Sequence, residues 1–478
     1  MRDTNSAAPN RAPDPAASTA EVGRPSIDPA LRRAYDLRGV VGKTLGPADA
    51  HGVGLAFAAI AGAAGARRLA VSRDGRVSSP MLESELVRGL CEGGMQVFRM
   101  PLGPTPLVSF TIHRLGLDGG IMVTGSHNPA DQNGFKLRLG RDPFHGESLA
   151  RLWQVEGVER RDGSVETVDL SEAYLDALAS ELRGLDAPAA VWDSGNGATG
   201  SIVERLVARL GGGHRSLFTE IDGTFPNHHP DPSIAANLRL LSRAVVANRC
   251  ALGIAFDGDG DRIGLVDSVG EIVWADQLML LLAREVLEAR PGGAIVADVK
   301  CSQALFTGIE ALGGRAVMSP SGYVLVRERM LHEAACLGGE MSGHIFFADR
   351  WHAADDALYV AARTLRALAR SGQGLREFRE SLPRTAATPE VRIPCPDERK
   401  DEVIAGLSAS LERSAARIDR TDGLRVVEPD GWWLLRASGT EAKLTARCEA
   451  RDAAALQRLT SRLAEALRRL GVDPAGLG

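Results

Sequence analysis

The chain lacks long apolar runs. No stretch of its 478 residues approaches the ~18–20 consecutive apolar positions of a membrane-spanning helix, and the most apolar window, Leu278 to Ala283, is cut off by Arg284 and Glu285. Cysteine is scarce and scattered: Cys91, Cys250, Cys301, Cys336, Cys395 and Cys448 form no CxxC pair and no Cys-His cluster. That argues against a disulfide framework and a zinc site, and for a reducing compartment. A basic excess is missing too. Lys and Arg number 56 against 61 Asp and Glu, a net charge of −5, so the positive surface of a nucleic-acid binder is not expected. Aromatics make up 5% of the chain while glycines number 53, which suits α/β folds with many tight strand–helix turns better than an aromatic-rich β-sandwich. The sequence reads as soluble and cytoplasmic, with neither nucleic acid nor membrane as partner.

At the usual ~100–200 residues per domain the length implies roughly three or four domains. Met1 to Ala30 is Ala- and Pro-rich, is interrupted by charges and lacks the apolar stretch of a secretory signal, so it reads as a disordered tail, residues 1–30. Beyond it one pattern recurs: a β-branched run, a Gly-containing turn, a helix-periodic segment and another apolar run. Leu69 to Ser72, a helix from Pro80 to Glu92 and Met95 to Phe98 form the first unit. Ala189 to Trp192, the turn Asp193 to Gly197 and a helix from Ser201 to Leu210 form the second. Ala294 to Asp298, a helix from Ser302 to Leu312 and Arg315 to Met318 form the third. The segment from Glu390 onward is strand-like at first and ends in an amphipathic helix, Ala453 to Leu470. Polar stretches near Val168 and Asp267, and the linker-like Pro383 to Pro389, divide the chain into domains 31–168, 169–267, 268–385 and 386–478.

The most informative motif is Gly253-Ile-Ala-Phe-Asp257-Gly-Asp259-Gly-Asp261-Arg262-Ile-Gly-Leu-Val, a strand, a loop with carboxylates on alternate residues, and a returning strand. Three like charges so close repel unless a positive group compensates them. A hard, oxygen-only set of three Asp suits Mg²⁺ and leaves room for a phosphate oxygen. An EF-hand fails, because its sixth position would be Arg262 rather than Gly and its twelfth Ser268 rather than Glu. A solvated Asp-Gly hairpin turn remains the alternative.

Other motifs are ambiguous singly. Ile121-Met-Val-Thr124-Gly-Ser126-His127-Asn128-Pro129 runs a strand into a loop with a hydroxyl beside an imidazole, the arrangement of a phosphate-carrying serine or of an ordinary polar loop. Lys136 opens a further strand, where a lysine is usually surface. Glu340, Ser342 and His344 alternate, so on an extended chain they point the same way, as a sugar site or a polar turn would have them. Arg436, Ser438, Gly439, Thr440 and Lys443 combine cations, hydroxyls and an exposable backbone, the parts of a phosphate nest or of a turn. The pair His228-His229, in a Pro-rich loop, reads as structural rather than metal-binding.

In chain order, Ala34-Tyr-Asp-Leu-Arg-Gly, Thr124-Gly-Ser-His-Asn-Pro, Asp257-Gly-Asp-Gly-Asp-Arg, Gly339-Glu-Met-Ser-Gly-His and Arg436-Ala-Ser-Gly-Thr resemble the α-D-phosphohexomutases, in particular their bacterial phosphomannomutase/phosphoglucomutase branch. The similarity runs from about Leu31 to the C-terminus. It implies an α/β fold of three related mixed α/β domains plus a smaller C-terminal α+β domain around a central cleft. It also implies a reversible exchange of hexose 6-phosphate and 1-phosphate, for mannose and glucose, through phosphoserine at Ser126 and a 1,6-bisphosphate. By the same resemblance, Mg²⁺ is held by Asp257, Asp259, Asp261 and the Ser126 phosphoryl group, and glucose 1,6-bisphosphate is an activator. Lys136 matches the general acid/base, Arg262 and Arg38 match active-site cations, and His127 stands beside the nucleophile. Glu340, Ser342 and His344 match the loop that holds sugar hydroxyls; Arg436, Ser438, Gly439 and Thr440 match the clamp on the non-reacting phosphate; Tyr35 and Lys300 complete the cleft. A monomer or small homo-oligomer is expected.

One departure bears on specificity. Ser321-Gly322-Tyr323-Val324 stands where the family often has Thr-Gly-His-Ser, so a phenol replaces an imidazole. Met341 favours this branch over the phosphoglucosamine mutases, whose loop commonly has Gln there. A phosphoglucosamine mutase, and a non-catalytic sugar-phosphate-binding relative, are the rival readings.

Overall fold

In the computed structural model, residues 21–411, 417–438 and 442–477 are described. Short apolar runs, buried on both faces, form the middle of each of three sheets, the environment in which parallel strands need no polar alternation. In the first, Arg68–Arg73 lies between parallel Gln96–Arg99 and Gly119–Val123, and the latter turns into antiparallel Gln132–Leu139. The second places Ala190–Asp193 between Arg215–Leu217 and Leu252–Phe256, followed by antiparallel Ile263–Asp267. The third places Ala294–Asp298 between Arg315–Ser319 and Leu337–Gly339, followed by antiparallel Ile345–Phe347. The first sheet is extended by Leu37–Val40 on one side and Ser164–Thr167 on the other.

This shared order puts equivalent loops at equivalent places. The hairpin after the third strand carries Ser126 in the first sheet, the three Asp in the second and Glu340 in the third. The loop after the central strand carries Asp74 to Val77, Ser194 to Gly197, and Val299 to Ser302 in turn. One hydrophobic core runs through all three units, from Ala70 and Trp192 to Ile295 and Phe378.

The last unit is antiparallel: Ala386–Ala387, Lys443–Ala450, Gly431–Ala437, Leu424–Glu428 and Arg417–Asp419, with Val391–Pro394 also on Lys443–Ala450. The helix Ala453–Arg469 buries Leu459, Leu463 and Leu467, four apart on one face, against Ile393, Trp433 and Leu435. This unit docks on the third through Arg425. That guanidinium sits 3.8 Å from the Trp432 ring and 5.1 Å from Phe306, and donates to the carbonyls of Val299 (2.6 Å) and Cys301 (2.8 Å). Arg447 donates to the carbonyl between them, that of Lys300.

Two expectations are corrected. The tail does not extend to residue 30: Glu21–Val22 pairs with Val158–Glu159, Ile27 is buried, and Trp153 Nε1 donates to the Ile27 carbonyl at 3.0 Å. Ala and Pro content conceals that one anchoring isoleucine; residues 1–20 lie outside the described residues. A division at Asp267 cuts the second sheet, because Ile272–Val273 still pairs with Ile263–Asp267. The polar stretch there is a hairpin turn, in which Asp267 Oδ1 accepts the N–H groups of Val269 and Glu271. Among the described residues no helix is long and apolar enough to cross a membrane.

Candidate active site

The strand Gly119–Val123 delivers its chain into a turn where Ser126 takes a left-handed backbone, φ 49°, a conformation costing a non-glycine residue ~1–2 kcal/mol. Thr124 Oγ1 accepts the Ser126 N–H at 2.8 Å. The Ser126 hydroxyl then lies 2.8 Å from Asp257 Oδ2 and 3.2 Å from His127 Nδ1. It has one proton to give; with Asp257 ionised, as it is when a cation sits beside it, and accepting that proton, His127 Nδ1 carries the ring proton and donates to Oγ. Burial, then the charges of Arg262, Arg38 and Lys136, hold the His127 pKa well below its ordinary value, so the ring is neutral.

The aspartate loop folds around its own first carboxylate. Asp257 Oδ1 accepts the N–H groups of Gly260 (3.0 Å), Asp261 (3.1 Å) and Arg262 (3.1 Å). A Cβ on Gly258 would sit 2.3 Å from the Ser126 carbonyl, so only glycine lets the two loops approach this closely. Burial, then repulsion from Asp261 and Asp259, pushes the Asp257 pKa well above the carboxylate range. Asp259 goes the other way: burial is outweighed by Lys136, whose Nζ is 2.7 Å from Asp259 Oδ2, and by the Thr105 hydroxyl. Lys136 also pairs with Asp261 Oδ2, and the two carboxylates raise its pKa against burial. It stands in mid-strand on Gln132–Leu139 rather than at the strand's start.

The three carboxylates fit a divalent cation. Asp257, Asp259 and Asp261 each bring an oxygen within 4.8 Å of the others. Lys136 meets the Oδ2 atoms of Asp259 and Asp261, but their Oδ1 atoms are buried without a hydrogen-bond partner among the described residues, and one ammonium against three buried carboxylates leaves negative charge for a divalent cation to meet. Asp261, His344 and Asp355 also converge within 4.8 Å, but His344 Nε2 accepts from Arg262 Nε at 2.9 Å. With Nε2 accepting, the ring proton lies on Nδ1, which faces Asp355 Oδ2 at 3.5 Å and Asp261 Oδ1 at 3.7 Å and has no lone pair for a metal between them.

The sequence-derived residues fall into two groups. Ser126, His127, Lys136, the three Asp, Arg262 and Arg38 surround the hydroxyl; Arg38 is anchored by Asp36 at 2.6 Å and donates to the Thr124 carbonyl. Tyr35, Lys300, Glu340, Ser342 and Arg436 form the second. Tyr35 donates to the Ser321 carbonyl at 3.1 Å; Glu340 accepts the Gly322 N–H at 2.7 Å and faces the Ser342 hydroxyl at 3.3 Å. Lys300 lies 3.4 Å from Glu390, and Arg436 donates to Asp422 at 2.8 Å. Aromatic rings link the groups: Tyr323 stacks on His344 at 5.1 Å and meets Tyr35 edge-on at 5.8 Å.

Glu340, Ser342 and His344 do not project together from an extended chain. Gly343, at φ +99°, closes a tight turn, with the Glu340 N–H bonded to the His344 carbonyl, and the imidazole joins the Ser126 group instead. The Ser438 N–H donates to the Lys443 carbonyl at 3.0 Å; Gly439 and Thr440 lie outside the described residues. His228 is held by Asp193 at 3.0 Å. Sequence reasoning missed Asp74, Arg76, Thr105, Asp355 and Asp422. The one local signal among them is Arg73-Asp-Gly-Arg76, after a central strand, where the third unit has Lys300.

Family models of the three alpha/beta/alpha domains of phosphoglucomutase/phosphomannomutase match residues 29–144 (domain I), 172–270 (domain II) and 274–386 (domain III), and the model of its C-terminal domain matches 390–466. The phosphomannomutase/phosphoglucomutase of Pseudomonas putida is 40% identical over 91% of this chain and 94% of its own length. A phosphoglucomutase of Neisseria gonorrhoeae is 40% identical over 91% of this chain and 96% of its own. The crystal structure of a phosphoglucomutase/phosphomannomutase family protein from Burkholderia thailandensis covers 93% of this chain and 98% of its own at TM-score 0.87 and 38% identity. With all four domains present in order, and with this identity spread over nine-tenths of its length, the chain belongs to the phosphoglucomutase/phosphomannomutase family.

Proposed function

We propose that the protein interconverts the 6-phosphates and 1-phosphates of mannose and glucose, with Ser126 as the phosphate carrier and a hexose 1,6-bisphosphate as intermediate. The observation that carries this reading is the Ser126 hydroxyl held 2.8 Å from Asp257, within a buried ring of three carboxylates and one lysine. In the forward half-reaction the Ser126 Oγ–P bond breaks and a P–O bond forms to the free sugar hydroxyl, whose proton passes to the site. In the second half the other phosphate returns to Ser126 and the isomer leaves. Asp257, Asp259, Asp261 and the phosphoserine would hold Mg²⁺, which would supply positive charge against the moving phosphoryl group.

The chain's own groups do the remainder. Lys136 is the general acid/base: with Asp259 and Asp261 neutralised by the cation it would be freed to act as the amine, taking the sugar hydroxyl's proton and passing it to the Ser126 oxygen as the Oγ–P bond breaks. Neutral His127 orients Oγ, while Arg38 and Arg262 add fixed positive charge. Glu340 and Ser342 accept and donate to ring hydroxyls. Lys300 and Arg436, with Tyr35, Ser438, Gly439 and Thr440, hold the phosphate that is not reacting. Glucose 1,6-bisphosphate activates the enzyme by phosphorylating Ser126. The protein acts on small sugar phosphates in the cytoplasm, as a monomer or small homo-oligomer.

The test is ³¹P NMR of the purified protein with Mg²⁺, a trace of glucose 1,6-bisphosphate, and the 1-phosphates of mannose, glucose and glucosamine together. Conversion of the mannose and glucose signals to 6-phosphates is expected. Conversion of glucosamine phosphate alone moves the assignment to a phosphoglucosamine mutase, and no conversion leaves a sugar-phosphate-binding relative.

A further inference from the structure

The turn that carries Ser126 joins two strands of the first sheet, and four of its carbonyls gather on one side chain. Arg76 Nη2 donates to the carbonyls of Ser126 (2.6 Å) and Asn128 (2.7 Å), and Nη1 to those of Pro129 (2.6 Å) and Gln132 (2.9 Å). Its Nε donates to Asp74 Oδ2 at 3.2 Å. A guanidinium has five N–H donors in a fixed plane, and here all five are used. Asp74 closes the ring from the other side, accepting the Gly125 N–H at 3.1 Å and the Ser79 hydroxyl.

The guanidinium is sealed in. Its side chain has 0% exposure, the Phe225 ring of the second domain lies 5.1 Å from its Cζ, and a Cβ on Gly125 would come 2.4 Å from that atom. Desolvating a guanidinium is costly, and a buried Arg beside a single carboxylate is weak evidence of stability for its own sake. What it buys here is geometry: a non-glycine residue in the left-handed region persists only where its surroundings over-determine it.

We propose that Arg76 is a positioning residue for the phosphate-carrying step: by binding the four carbonyls of the 126–132 turn it keeps Ser126 in the left-handed conformation that aims Oγ at Asp257. It touches no substrate and acts through backbone. This rests on the reading of Ser126 as phosphate carrier. It predicts a loss in kcat rather than in KM, since Glu340, Ser342, Lys300 and Arg436, which grip the sugar phosphate in that reading, lie on other domains. Lysine cannot substitute, having three donors around one point and no planar fork.

The experiment compares wild type, Arg76→Ala, Arg76→Lys and Gly125→Ala, the last displacing the guanidinium without removing it. Variants are first checked by thermal melting. Turnover of mannose and glucose 1-phosphate is measured with Mg²⁺ and glucose 1,6-bisphosphate, and amide hydrogen exchange of residues 124–134 is measured by mass spectrometry. Expected are a fall in kcat of about 10²-fold in all three variants with KM within about threefold, and exchange in 124–134 faster by about tenfold or more. Partial rescue of Arg76→Ala by guanidinium ion well below denaturing concentration is also expected. A folded Arg76→Ala protein with wild-type kcat, a rise in KM alone, or wild-type exchange in 124–134 overturns the proposal. Absence of turnover in wild type refutes the mutase reading instead, and the exchange comparison then still decides whether Arg76 holds the turn.

Discussion

Thr105, at the first turn of a helix in the first domain, binds Asp259 of the second twice: its N–H donates to the Asp259 carbonyl at 2.8 Å and its hydroxyl to Oδ2. The hydroxyl leaves Asp259 Oδ1 as the oxygen without a partner among the described residues. Groups that orient a metal-ligating carboxylate typically matter by 10–100-fold in metal affinity. Thr105→Val, which keeps shape and backbone bond, is expected to raise the Mg²⁺ concentration for half-maximal activity by roughly tenfold or more. An unchanged Mg²⁺ dependence would remove Thr105 from the metal site.

Lys136 is the cation that two of the three carboxylates already possess. Removing one partner from a buried ion pair costs ~3–5 kcal/mol, because the other charge stays buried and unpaired. Lys136→Met is therefore expected to melt well below wild type in EDTA and to regain most of that loss when Mg²⁺ is added. Its Mg²⁺-induced rise in Tm should exceed that of wild type, while its turnover stays negligible. Equal rises in the two proteins would contradict a shared role for lysine and metal as counter-ions.

Ser126→Ala separates carrier from scaffold. The substitution removes one donor from Asp257, whose other oxygen keeps three backbone N–H groups. Turnover is expected to fall by roughly 10³-fold or more, and incubation with glucose 1,6-bisphosphate should no longer add phosphate by intact mass. The Mg²⁺-induced rise in Tm should persist. Residual turnover near wild type would sink the phosphoserine mechanism.

Local features were the legible ones. Ala294–Asp298 is a strand at the residues its apolar run indicates, because burial on both faces leaves a run with no polar alternation to blur its ends. The three Asp stand out because their repulsion is written in adjacent residues. Alternation misled at Glu340, Ser342 and His344, where a positive-φ glycine reverses the chain and turns the imidazole toward Arg262. Thr105 and Asp422 were silent for a different reason. Asp259, the partner of Thr105, lies 154 residues away, and Asp422, besides its hairpin neighbour Arg436, accepts the N–H of Ser321 101 residues away, contacts that only tertiary structure makes. Arg76 lies in between: its strand-end position is readable, its four carbonyls are not.

His352 adds its own pH dependence to stability. Its ring stacks on His113 at 4.9 Å, and among the described residues its buried Nε2 has no hydrogen-bond partner. Burial, then His113, Arg138, Arg141 and Arg327, push its pKa down to about 3 from 6.5. The unfolded chain binds a proton here below about pH 6.5, whereas the folded protein does not until near 3. Stability is therefore lost as pH falls through this window, by up to ~1.4 kcal/mol per pH unit from this group, and is unaffected by it above 6.5. His352→Gln removes the titration. At pH 7 the variant is expected to be less stable than wild type through lost ring packing; at pH 5 the gap should narrow by roughly 2 kcal/mol, read from urea unfolding at the two pH values. A gap that stays constant between pH 7 and 5 would show that His352 is protonated in the folded protein, with the cations of Arg138, Arg141 and Arg327 too well screened to prevent it.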